Sequence, residues 1–134
     1  MADPEELVSS ALDAFRMARS QMEDAFHADS TSAIISAVNR GEKPRRGKLP
    51  DGLEYFVHGI GYTVSLPSGG EIHIDSAPGG DSFSVYDIQQ FVETSGEERD
   101  LDTSAIANVC EGKARSGELT ALSEWKYLLP RGTN

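Results

Sequence analysis

Residues 53–86 read LEYFVHGIGYTVSLPSGGEIHIDSAPGGDSFSVY, and the rest of the chain is organised around them. From residue 56 to residue 66 the even positions are Phe56, His58, Ile60, Tyr62, Val64 and Leu66. The odd positions are Val57, Gly59, Gly61, Thr63 and Ser65. A period of two is the spacing of side chains on one face of a strand. A single strand with its even face inward accounts for the run, and Gly59 and Gly61 give it room to bend. A tight turn at residues 58–61 would instead cut the run into two short strands; the bent strand is the preferred expectation.

Pro67-Ser68-Gly69-Gly70 is a turn signal, because proline presets φ and glycine accepts positive φ. After it, Ile72 and Ile74 alternate with Glu71, His73 and Asp75, so the isoleucines point inward and the polar residues outward. The two runs and their loop predict a β-hairpin. Residues 77–81 form a second loop, and Phe83 and Val85 begin a third strand or lead into a helix.

Working outward, Asp3-Pro4-Glu5-Glu6 is a helix start: a capping aspartate, a proline in the first turn, and acids at the positive dipole end. Leu7, Ala11, Ala14, Phe15, Ala18, Met22 and Phe26 recur at three- and four-residue spacing and predict one helix to about His27. Residues 29–32 recap a short helix over 33–40, with Gly41 as its stop. Residues 42–52 hold Lys43, Arg45, Arg46 and Lys48 and read as a solvated connector. Residues 86–95 predict a helix ended by Gly96, and Asp102 or Thr103 caps another to about Ser116. Trp125, Tyr127 and Leu129 alternate as a final strand. The expected class is α+β. N-terminal helices (residues 3–41) pack on a small, mainly antiparallel sheet with a bent hairpin over 53–75. Further short helices and a C-terminal strand follow, the sheet and its helices spanning 53–129, in one domain over 1–134.

The formal net charge is −10 over 134 residues. Residues 53–102 carry −9 of it, whereas residues 31–52 carry +3. A field of this sign repels nucleic acid and membrane phosphates and steers a basic protein partner inward. No apolar run approaches the roughly 20 residues that cross a bilayer, and the acidic start shows no secretory leader. The single cysteine, Cys110, excludes an internal disulfide, suits a reducing cytosol, and reads as a small buried side chain.

No catalytic or cofactor motif emerges. His73 and Asp75 share a strand face, and zinc accepts such ligands, but the bent strand puts His58 on the opposite, apolar face as a core histidine. Gly59-Ile60-Gly61 and Gly69-Gly70 lack the strand–loop–helix setting of a phosphate cradle. The expectation is a non-enzymatic chain with no metal and no cofactor.

Tyr55-Phe56-Val57-His58-Gly59-Ile60-Gly61, followed by an apolar strand, a glycine turn and Ile72-His73-Ile74-Asp75, resembles a bacterial family of small uncharacterised proteins. Its members look like immunity proteins encoded beside polymorphic toxins. The match covers residues 53–91, with looser similarity over 117–127. Members tend to end this strand in acidic pairs, where this chain has His73-Ile74-Asp75. The resemblance implies a cytoplasmic protein that binds a cognate toxin and occludes its active site or substrate cleft. A basic cleft is expected in that toxin, and neither nucleic acid nor membrane as partner. The expected contact surface is Glu93, Glu97, Glu98, Asp100 and Asp102, with Glu71, His73 and Asp75 second. The rival readings are a small metal-dependent hydrolase using His58, His73 and Asp75, and a regulatory adaptor or chaperone.

Overall fold

The computed structural model describes residues 3–96 and 101–131. Asp3 caps α1 (Pro4–Phe26), its Oδ1 accepting from the Glu5 N–H at 3.4 Å, and the helix ends where His27 turns left-handed at φ 51°. Leu7, Val8, Ala11, Phe15, Ala18 and Met22 form its buried stripe. Ser30 caps α2 (Thr31–Asn39), accepting from the Ala33 N–H.

Next come β1 (Arg46–Lys48), a 3-10 turn at Pro50–Gly52, β2 (Glu54–His58), β3 (Gly61–Ser65), β4 (Glu71–Ala77) and β5 (Gly80–Ser84). α3 (Val85–Ser95) follows directly, fixed by a capping box in which Ser84 and Asp87 each accept from the other's backbone N–H. α4 (Thr103–Ser116) starts at Asp102, whose carboxylate accepts from the Ala105 N–H at 2.8 Å. The chain closes with β6 (Thr120–Ser123) and β7 (Lys126–Leu128).

The fold is α+β, as expected. The strands form one antiparallel sheet in the order β1-β2-β3-β4-β5-β7-β6. One face carries Tyr55, Val57, Tyr62, Val64, Ile72, Ile74, Phe83 and Tyr127, all buried in a common core with α1 and α2. Phe15 is its hub, meeting Phe83 and Phe91 edge-on at centroid distances of 5.9 and 5.8 Å. Each such pair adds about 0.5–1.5 kcal/mol beyond the area it buries. β5 pairs with β4 only over Gly80–Ser82 before turning toward β7. Where it leaves, α3 takes its place: Thr94 Oγ1 accepts the Glu71 N–H at 2.8 Å, and Gln90 Nε2 donates to the Glu71 carboxylate. A helix thereby covers backbone that would otherwise be an open strand edge.

The central run corrects the single bent strand. Residues 56–66 are two strands joined by the two-residue turn Gly59-Ile60, with His58 paired to Gly61 and Val57 to Tyr62. Gly59 sits at φ 54°, which a turn with glycine first requires. Partners across this hairpin are one odd and one even residue, so the inward parity switches at the turn. Tyr55 and Val57 point in before it, Tyr62 and Val64 after it. Phe56 and His58, expected inward, lie on the other face, and Ile60 is 62% exposed at the hairpin tip.

Two smaller corrections follow. The basic connector contains β1, which pairs with β2 through Arg46–Phe56 and Lys48–Glu54. The final strand is a hairpin, β6 and β7, with Trp125 at φ 64° in its turn.

Residues 129–131 are strapped to α1. Arg19 of α1 is buried, and its guanidinium donates to the carbonyls of Leu129 (3.0 Å) and Pro130 (2.9 Å). Asp81, also buried, lies 3.8 Å from both Arg19 and Arg131, and its Oδ1 accepts from the Thr31 N–H at 3.0 Å. Arg131 further donates to Glu23 and to the Asp29 carbonyl.

Candidate functional site

The sheet face away from α1 and α2 is open across β1–β4. Antiparallel register sets its side chains in rows. One row is Arg46, Phe56, Thr63 and His73; beside it run Lys48, Glu54, Ser65 and Glu71. On the other side His58 is opposite Gly61, which is opposite Asp75.

These rows produce a continuous stack. The Arg46 guanidinium lies 3.9 Å from the Phe56 ring centre, Phe56 is 4.9 Å from His58, and His58 stacks on His73 at 5.1 Å with 18° between planes. Thr63 Oγ1 lies 2.9 Å from His58 Nε2 and 3.3 Å from His73 Nδ1, while His73 Nε2 is 2.8 Å from Asp75 Oδ1. Lys126 Nζ reaches the other Asp75 oxygen at 3.8 Å.

For neutral rings these distances define one arrangement of protons. Asp75 is an acceptor, so His73 carries its proton on Nε2 and offers Nδ1 as an acceptor. Thr63 has one hydroxyl proton, donates it to His73 Nδ1, and accepts from His58 Nε2–H. The chain runs one way, from His58 through Thr63 and His73 to Asp75. A second proton on His73 would reverse it, turning the Thr63 hydroxyl toward His58. Burial, and next the neighbouring His73, hold the His58 imidazole below its ordinary value, with Asp75 opposing. On α3, burial pushes the Asp87 carboxyl up, with its Ser84 hydrogen bonds and His73 opposing.

The glycines of the motif make this possible. A Cβ on Gly61 would fall 2.2 Å from the Ile74 carbonyl and 2.3 Å from Asp75 Oδ1. The Asp75 carboxylate therefore occupies the space of the missing side chain. Gly47 is bare for a similar reason: its Cβ would meet the Tyr55 ring at 2.8 Å, and the Tyr55 hydroxyl donates to the Pro44 carbonyl.

Of the expected contact residues, Glu71, His73 and Asp75 lie on the open face. His58, expected in the core, joins them there and bonds a side chain instead of backbone. Glu93 is exposed on α3 and accepts from Gln89 Nε2 one turn earlier. Asp102 is engaged as the cap of α4. Glu97, Glu98 and Asp100 lie outside the described residues. Arg46, Phe56 and Thr63 join the face as further candidates, and the two-residue turn Gly59-Ile60, which sets Phe56 opposite Thr63, is the sequence signal for the last two. Among the described residues, no three His, Cys, Asp or Glu side chains are grouped to hold a metal ion, and no helix is long and apolar enough to cross a membrane.

The architecture and site define an α+β protein with one helix-covered and one open sheet face bearing an aromatic and imidazole column. Residues 5–129 match the family described as Domain of unknown function (DUF6896), and the chain belongs to it. No match was found among curated proteins or among solved structures.

Proposed function

We propose that this chain is a cytoplasmic immunity protein that binds a cognate bacterial toxin and covers its active site or substrate cleft. The observation that carries the reading is the open sheet face, where preformed side chains from four strands stand in rows on a rigid support. Rigid elements lose little entropy on association. Acids on that face, Glu71 and Asp75 among them, suit a toxin with a basic cleft. Residues 55–61, the motif by which the chain resembles immunity proteins, contribute Phe56 and His58 to this face. The test is co-expression with the C-terminal toxin domain encoded beside the gene. Co-purification, and growth rescue lost on Ile60→Asp or His58→Asp, is the expected result. Rescue without physical association would sink the reading.

A second reading, a hydrolase, is favoured by one observation: Asp75, His73 and Thr63 stand in the order of a base-activated hydroxyl. Against it, Thr63 is mid-strand between two paired neighbours, so its surrounding backbone N–H groups are committed to the sheet and none is aimed at a developing oxyanion. Turnover of any ester or phosphoester that disappears in Thr63→Val would favour this second reading.

A further inference from the structure

The cationic end of the open face is an unfilled counterpart to the acids. In a chain of net charge −10, β1 projects Arg46 and Lys48 onto one face. Among the described residues neither side chain makes a hydrogen bond or an ion pair, although Arg45 beside them is engaged, donating to the Val57 carbonyl and to Asn39. Arg46 is held instead by stacking on Phe56 at 3.9 Å. Stacking fixes the plane of a guanidinium and leaves its N–H edge free for two parallel bonds to a carboxylate. Both cations line a groove of about 710 Å³ with Phe56, His58, Thr63 and Ser65.

From this arrangement we infer that the groove seats a carboxylate side chain of the partner protein, gripped by the Arg46 fork with Lys48 beside it and its stem against Phe56. This rests on the toxin-binding reading for the partner's identity. The chemistry selects a lone carboxylate over a phosphate chain. Glu54 and Glu71 line the same groove and repel a dianion, and the net charge of the molecule opposes a polyanion at distance. The partner surface is therefore two-signed: a carboxylate opposite β1 and cations opposite β4.

The test has two arms. The first titrates isotope-labelled protein with a short aspartate-containing peptide, its asparagine counterpart and a single-stranded RNA, followed by NMR. The aspartate peptide alone is expected to shift the Arg46 side-chain N–H and the Phe56 and His58 rings. Equal response to the asparagine peptide, no response to either, or preference for RNA overturns the inference. The second arm measures affinity for the neighbouring toxin domain. Arg46→Ala should weaken binding by about tenfold or more, Arg46→Lys should restore only part of it, and exposed Lys43→Ala should change nothing. Toxin binding that survives Arg46→Ala within twofold removes the carboxylate seat and leaves the immunity reading standing. An aspartate peptide that docks while the toxin domain does not has the opposite meaning.

Discussion

Gly61 and Asp75 face each other across β3 and β4, and the carboxylate of one fills the space left by the missing side chain of the other. That exchange lets Asp75 reach His73 along the surface of the sheet.

Gly61→Ala should therefore cost about 1–3 kcal/mol, the range for forcing extra atoms into a packed site. The control is Gly112→Ala, mid-helix in α4 with only the tip of the Arg115 side chain near, at 3.9 Å. There the change should stabilise by roughly 0.5–1 kcal/mol. Urea denaturation of the pair checks both signs, and equal effects would contradict the geometry.

Because His58 is held below its ordinary value of 6.5 in the folded state, the unfolded chain binds the proton more readily. Stability contributed by neutral His58 is present above that ordinary value and is lost as pH falls toward the lower, folded value. We expect the His58 ring to titrate below 6.5 by NMR, and the slope of stability against pH in this window to flatten in His58→Gln. A midpoint above the ordinary value would contradict the stacked arrangement.

Arg19→Ala removes two carbonyl partners and one of the cations beside buried Asp81. Breaking a buried pair on one side costs about 3–5 kcal/mol. Asp81→Asn, which keeps an acceptor for the Thr31 N–H, should cost less. Chemical denaturation distinguishes them; the reverse order would show that the strap depends on the charge of Asp81.

Cys110 is fully buried, and its thiol is pushed up to about 12 chiefly by that burial. It should resist thiol reagents in native buffer and react at the rate of global unfolding in denaturant. Fast native labelling would mean that α4 opens locally.

Asp102 serves two readings that one substitution separates. Asp102→Asn keeps a capping oxygen and removes the charge, whereas Asp102→Ala loses the cap at about 1 kcal/mol. Full toxin affinity in the asparagine variant would assign Asp102 to the helix alone.

Much of the architecture could be read from local chemistry. Asp3-Pro4, Gly96, Asp102 and Gly117 announce helix ends that the structure keeps, and Ile72 and Ile74 announce an inward face. The site was hidden by one ambiguity. Phe56, His58, Tyr62 and Val64 share a parity in the sequence, and only the left-handed Gly59 shows that they do not share a face. β1 was invisible for another reason: Arg46-Gly47-Lys48 has no strand propensity and pairs only because Tyr55 and Phe56 supply its packing. Such pairing depends on contacts that composition does not encode.

The strap between Arg19 and residues 129–130 has a mechanical consequence. The guanidinium ties α1 to carbonyls 110 and 111 positions away along the chain. A fluctuation that lifts either segment must first break those two bonds, so the two open as one cooperative unit. Their amide hydrogens should exchange with solvent together, as if the two distant segments were neighbours in sequence.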